Sequence, residues 1–172
     1  MSYVPSHKTP TNVAQPIALT IIEHTLTTSQ SIAIGNKVQV GTIHNWFGSF
    51  SPTISNNQIT LPSGFLYYIE TTVQCNRVGG FSYVDHIATF QMYDETNSSN
   101  IGTPFTVTQA EFEQDDELYS RDSCGRAFLD CTSSSINFSI KVQATENWTH
   151  INYNGNQNYN TGQGRTIIWQ LA

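Results

Sequence analysis

A chain of 172 residues, 38% of them hydrophobic, is long enough to bury the core of one domain. Only 12% of the residues are charged, the formal net charge is -6, and the 7 lysines and arginines form no cluster, which argues against a nucleic-acid-binding surface. Nowhere do about 18 apolar residues follow one another, and no apolar stretch follows a basic start, so neither a membrane helix nor a secretory signal is expected.

The first segment of the chain is predicted to be an extended arm over residues 1–15. Pro5 and Pro10 lie there among serine, threonine and asparagine, which disfavours a helix or a sheet ladder. Residues 16–172 are predicted to form one domain. It begins with PIALTIIEHTLTTSQSIAI and KVQVGTIHNWF, which are rich in β-branched residues and separated by a Gly-Asn turn, so two or three strands are expected.

The clearest strand pattern follows at residues 65–75, FLYYIETTVQC. The odd-numbered residues form one face, from Phe65 to Cys75, and the even-numbered residues form the other. A Gly-containing turn comes next, and the segment SYVDHIATFQMYDE is predicted to return antiparallel. We therefore expect these two segments to form a hairpin.

The second clear strand pattern is INFSIKVQA. Its apolar face consists of Ile136, Phe138, Ile140, Val142 and Ala144, which alternate strictly with polar residues. Shorter strands are predicted at AFLDC and at the C-terminal TIIWQL. No window shows a convincing helical period, and eight to ten strands in all indicate an all-β, two-sheet antiparallel jelly-roll sandwich.

The sequence contains no recognisable catalytic motif. The five histidines are scattered, none in a helical metal-binding pair or an H-E-x-x-H motif, and no G-x-S-x-G motif is present. Neither an enzymatic activity nor a cofactor is therefore predicted. Cys124 and Cys131 flank GRAFLD and would form a disulfide if they opposed each other on a hairpin; a reduced pair is the alternative.

An acidic segment, EFEQDDE, offers a weak calcium candidate. Glu113, Asp115 and Asp116 supply hard oxygen ligands at high density. The segment lacks the residue order of a calcium-binding loop, so an exposed acidic strand and turn is the alternative.

Aromatic residues point to a subunit interface. Tyr67 and Tyr68 lie on opposite faces of one strand and cannot both enter a single core, and Trp148 and Trp169 add large rings elsewhere. These four residues are the candidates for a subunit interface, with sugar stacking as the alternative. The abundant asparagine, glutamine, serine and threonine fit a surface covered in an assembly, or a neutral solvated surface.

Two runs of the sequence resemble a known family. The run GSFSPTISNNQITLPSGFLYYIETTVQC is similar to the start of the C1q/TNF-like jelly roll, where Gly64, Phe65, Tyr67 and Ile69 match its Gly-aromatic-x-aromatic strand. The ending GRTIIWQLA is similar to the last strand of that family, above all in its phage members. The resemblance covers residues 46–172, but the collagen-like stalk and the Gly-Asp-x-Val turn are missing.

The resemblance implies a trimeric virion protein without enzymatic activity. In the first interpretation it is a capsid decoration, or cement, protein that is made in the host cytoplasm and then binds and stabilises the outside of a phage head. The N-terminal arm would then contact the major capsid protein or another virion protein. In the alternative, the domain is a fibre tip or lectin-like module that binds a host receptor or glycan.

Overall fold

The chain folds as antiparallel β-strands over the residues that the computed structural model describes. These are residues 16–24, 30–31, 33–48, 50–73, 86–111, 118–122, 124–146, 150–151 and 164–171. The predicted arm, residues 1–15, lies outside them. None of the described residues belongs to a helix, so this part of the chain has no helix with the length and apolarity to cross a membrane.

Thirteen strands are formed by the described residues. In chain order they are β1 Pro16–Glu23, β2 Gln30–Ser31, β3 Ile43–Phe47, β4 Thr53–Ser55, β5 Gln58–Leu61, β6 Leu66–Thr72, β7 His86–Asp94, β8 Ser99–Glu111, β9 Leu118–Asp122, β10 Gly125–Asp130, β11 Ile136–Glu146, β12 His150–Ile151 and β13 Arg165–Leu171. The number exceeds the eight to ten predicted because β2, β4 and β12 have only two or three residues each, too few for alternation to be visible.

The strands form two main sheets. One sheet has five strands in the order β10-β6-β13-β1-β3, the other has six in the order β4-β5-β11-β7-β8-β9, and β12 and β2 form a small separate pair. All neighbours in the five-stranded sheet are non-consecutive strands, whereas β4-β5, β7-β8 and β8-β9 of the other sheet are consecutive. Non-consecutive pairs such as β1 and β13 are typical of Greek-key connections. The predicted all-β, two-sheet antiparallel jelly-roll sandwich is confirmed.

The core lies between the two sheets, where alternation places one face of each strand. Tyr67 and Ile69 of β6 are fully buried, as are Phe138 and Ile140 of β11, in agreement with the predicted faces. Ala144 is exposed, contrary to its predicted position on the apolar face. A β-bulge after Val142 shifts the register of β11, and the residues beyond it change faces.

The predicted hairpin between residues 65–75 and the following strand is wrong. β6 pairs with β10 and β13 in the five-stranded sheet, whereas β7 pairs with β11 and β8 in the six-stranded sheet. The reason is that alternation within a strand identifies its buried face but does not identify its partner strand.

The two sheets approach each other closely at one edge, where β8 passes β10. Gly102 has a φ of +64°, and a Cβ atom at this position would overlap the backbone carbonyl oxygen of Arg126. The side-chain amide of Gln91 donates hydrogen bonds to the carbonyl oxygens of Ile101 and Gly102. Glycine is therefore required at position 102, both for its backbone conformation and for the space it leaves.

A short segment before β3, residues 33–38, lies along β11 and is referred to here as the edge segment. The backbone N–H groups of Gly35 and Val38 donate to carbonyl oxygens of β11, and the N–H of Val142 donates back. Side chains strengthen this contact, because Lys37 Nζ and Lys141 Nζ lie 3.3 and 3.0 Å from Glu95 Oε1. The edge segment continues the sheet where β5 ends.

Candidate interaction face

A row of five apolar side chains crosses the outer face of the five-stranded sheet, one from each strand. The register places Phe128 opposite Tyr68, Tyr68 opposite Trp169, Trp169 opposite Leu19, and Leu19 opposite Phe47. These five residues are called the aromatic row. Alternation explains the arrangement, because successive side chains on a strand point in turn to the core and to the outer face.

The Tyr68 ring packs in tilted contact against two other rings of the aromatic row. The ring centroids of Tyr68 and Phe128 are 4.7 Å apart at an interplanar angle of 39°, and those of Tyr68 and Trp169 are 5.2 Å apart at 36°. The rings thus form one continuous group across neighbouring strands. Aromatic residues of this kind are enriched in protein interfaces.

The face is exposed in the isolated chain. Phe128 is 75% exposed, Phe47 is 43% exposed, and Leu66, which lies in the adjacent row opposite Leu171, is 38% exposed. Single exposed apolar residues are ordinary on protein surfaces, but a contiguous group of them usually marks an interaction site. The outer face of the five-stranded sheet is therefore the candidate interaction face.

A charged pair borders the aromatic row. Arg126 Nε donates a hydrogen bond to Glu70 Oε1 at 3.0 Å, and the Tyr68 hydroxyl donates to the same oxygen at 2.8 Å. Partial burial and then the hydrogen bond to Glu70 raise the pKa of Tyr68, so its hydroxyl is a neutral donor at physiological pH. The pair leaves the face with balanced charge.

The outer face of the six-stranded sheet has the opposite character. Polar side chains there bond to one another: the Thr60 hydroxyl donates to Asn137 Oδ1 at 2.7 Å, and the Ser139 hydroxyl donates to Glu95 Oε1 at 2.6 Å. Lys141 Nζ also lies 3.3 Å from the centroid of the Tyr93 ring. Burial raises the pKa of Glu95, but the hydrogen bonds from Ser139 and the two lysines outweigh it, so the pKa is lowered overall.

The structure brings together two of the four predicted interface residues. Tyr68 and Trp169 are neighbours in the aromatic row, while Trp148 lies outside the described residues. Tyr67 is not available for an interface: its side chain is fully buried in the core, 5.2 Å from the ring of Phe50 between centroids. The expectation was wrong for Tyr67 because residues on opposite faces of a strand divide between core and surface.

Sequence reasoning missed the other members of the row. Phe128 left a visible signal, since in GRAFLD it shares a face with Arg126 and Asp130, which makes it an aromatic residue among charges on an exposed face. Leu19 and Phe47 were not among the interface candidates, because their place in the row depends on strand pairing.

The possible disulfide between Cys124 and Cys131 is contradicted, and the alternative of a reduced pair holds. The two residues lie at opposite ends of β10, roughly 20 Å apart along an extended strand, and both thiols are free. A disulfide requires Cα atoms within about 7 Å. Burial raises the pKa of Cys131 to about 11 and, less strongly, that of Cys124, so both remain protonated thiols at neutral pH.

The calcium candidates Glu113, Asp115 and Asp116 lie outside the described residues. Among the residues whose placement is described, no three histidine, cysteine, aspartate or glutamate side chains form a group that could hold a metal ion. No residue of the candidate interaction face is thus assigned to a metal or cofactor.

Comparisons with known proteins address the fold. No protein-family model matches the chain, and no curated protein sequence matches it. Among solved structures, the chain is similar to that titled "Structure of Eiger TNF from S. frugiperda", with a TM-score of 0.51 and 10% identity over 92% of this chain and 94% of the other. At this identity the likeness concerns the fold alone. The chain therefore has the TNF-like jelly-roll fold.

Proposed function

We propose that this domain is a structural assembly protein: a homotrimer that associates through the candidate interaction face and decorates and stabilises the outside of a phage head. The aromatic row is the observation that supports self-association, because it is continuous across five strands and lies on the outer face of the sheet. The trimeric state and the phage setting rest on the sequence resemblance of residues 46–172.

The exposed apolar side chains provide the driving force for self-association. Moving a large apolar side chain from water into an interface contributes about 1.5–3 kcal/mol, and Phe128, Phe47 and Leu66 are all partly or largely exposed. The charged pair of Arg126 and Glu70 is already formed within one chain, so covering it requires no new charged partner. An apolar face with its charges already paired favours a second copy of the chain as the binding partner.

The polar outer face of the six-stranded sheet suits the decoration role. Its threonine, asparagine and serine side chains carry uncharged hydrogen-bonding groups, and the lysines near them, Lys37 and Lys141, are already paired with Glu95. Such groups can bond to a protein shell without the large desolvation cost of buried charges. The proposed trimer thus joins its copies through the apolar face and keeps the polar face for other contacts.

Replacing Phe128 with aspartate is the direct test of self-association. We expect F128D to weaken association at least 30-fold, the equivalent of about 2 kcal/mol for a largely exposed aromatic ring that becomes buried on association. The fold should persist, because Phe128 is 75% exposed. Light scattering and sedimentation at micromolar concentration measure the effect.

The matched control is Ile34→Asp, since Ile34 is 71% exposed in a turn of the edge segment, away from the candidate face. I34D should associate like the unaltered protein. A monomeric unaltered protein, or equal behaviour of F128D and I34D, would refute self-association through this face.

Particles that lack the protein test the decoration role. A trimer that binds only the assembled shell stabilises that shell by mass action. We therefore expect depleted particles to disrupt at a lower temperature while still adsorbing to cells, and added protein to restore the heat resistance. Unchanged heat resistance together with lost adsorption would instead support the receptor-binding alternative.

A further inference from the structure

A buried histidine joins the end of β1 to the start of β13. His24, which follows β1 directly, is only 6% exposed, and its backbone N–H donates to the carbonyl oxygen of Gly164 at 2.8 Å. Its Nε2 lies 2.8 Å from Thr166 Oγ1, which lies 2.9 Å from Thr71 Oγ1 of β6. One side chain therefore connects three adjacent strands of the five-stranded sheet.

The environment of His24 fits only the neutral ring. Nδ1 is buried and has no hydrogen-bond partner among the residues that the structure describes. The imidazolium form would carry a proton on Nδ1 with no acceptor, in addition to an unsolvated charge. Burial accordingly lowers the pKa of His24 from 6.5 to about 4.

Among the residues whose side chains the structure describes, no charged group faces His24. Alternation places Arg165 of β13, Glu70 of β6 and Arg126 of β10 on the outer face. The His24 ring lies on the inner side, with Thr71 and Thr166. The exposed His44 of β3 also lies on the outer face, opposite Ile21.

Among the side chains that the structure describes, the facing six-stranded sheet has one buried carboxylate, Asp94, at the other end of the sandwich. Asp94 lies near Cys131, at one end of β10. Thr71, on the His24 side, pairs with Gly125 at the opposite end of β10. The carboxylate oxygens of Asp94 accept hydrogen bonds from Thr96 and Asn97 in the adjoining turn. Asp94 therefore provides no counter-charge for His24.

The position of His24 relates it to the candidate interaction face. The pair of strands that it joins, β1 and β13, contributes Leu19 and Trp169 to the aromatic row. Separation of β1 from β13 would break the row in its middle. The state of a residue inside the sandwich can thus affect a surface on its outside.

We propose that His24 is an acid-sensitive latch, whose protonation releases the end of β1 from β13 and thereby weakens self-association. The inference rests on the proposed function, because it concerns the regulation of the same face. Protonation acts from within the sandwich, so the partner copy need not contact His24.

The direction of the pH effect follows from proton linkage. Because the folded state holds His24 neutral down to about pH 4 while the unfolded state takes up a proton near 6.5, the stabilisation is complete above 6.5. This stabilisation is lost as the pH falls from 6.5 towards 4. The equilibrium between the latched and released forms then shifts towards the released form by up to roughly 300-fold. Association should weaken over the same range.

The test compares the full chain with His24→Gln and His44→Gln from pH 7.5 to 4.5. Glutamine at position 24 can still donate a hydrogen bond to Thr166 but does not titrate, whereas H44Q removes an exposed histidine from the same sheet. We expect association of the unaltered protein and of H44Q to weaken at least tenfold on acidification, and that of H24Q to change much less. Sedimentation measures association.

Hydrogen exchange supplies a second readout that needs no variant. The backbone amide of His24 should lose protection in acid, after correction for intrinsic exchange, before the amides of β11 do. A protein that is monomeric at pH 7.5 would refute the proposed function. Association at pH 7.5 with the same acid response in H24Q, or uniform loss of protection, would refute the latch alone.

Discussion

Truncating Tyr67 to alanine should destabilise the fold by about 3–5 kcal/mol, the usual cost of removing a buried aromatic ring. The Tyr67 ring is fully buried against Phe50, and its hydroxyl donates to the carbonyl oxygen of Pro62 at 3.0 Å. Burial also raises the pKa of this hydroxyl to about 12, so it stays a donor. Urea denaturation measures the loss of stability.

The neighbouring residue is the matched control. Tyr68→Ala removes a ring of the aromatic row and should cost little stability in the monomer, but it should weaken association. Tyr67→Phe retains the ring and should cost about 1 kcal/mol, the value of one hydrogen bond. Equal losses of stability in Y67A and Y68A would contradict the assignment of these residues to core and surface.

Placing a methyl group at position 102 is the second change with a large expected effect. Gly102→Ala should cost about 2–5 kcal/mol, because the left-handed conformation costs about 1–2 kcal/mol and the overlap with the carbonyl of Arg126 adds overpacking strain of about 1–3 kcal/mol. Strand β8 or β10 must then shift. Thermal and urea unfolding of the purified variant measure this loss.

Gly64→Ala separates the two contributions. Gly64 has a φ of +98°, but a Cβ atom there would meet nothing within 4 Å. G64A should therefore lose only the conformational part, about 1–2 kcal/mol. If G102A were as stable as G64A, or more stable, the close approach of β8 and β10 would be incorrect.

The sequence patterns predicted the fold class and the buried faces of the best strands. Alternation in β6 and in β11 up to Val142 is a local property, set by the side chains of one segment. The bulge that exposes Ala144 left no such pattern, because it depends on how β11 meets β7. The same reason explains the incorrect hairpin, since the choice of partner strand is not local.

The candidate face was predictable only in part. Tyr68 and Trp169 were recognisable as aromatic residues in excess of what one core needs. Their joining into a row with Leu19 depends on the pairing of the first and last strands of the domain, which lie about 150 residues apart. Composition identified the kind of surface, and strand register determined where it lies.

The edge segment also has a consequence for the solubility of the protein. Without it, the part of β11 beyond β5 would present unpaired backbone groups, on which a strand from another molecule could add and start a fibril. The hydrogen bonds of Gly35 and Val38 occupy those groups, and the lysines bound to Glu95 hold the segment in place. The edge segment thereby blocks the addition of a further strand along this part of β11.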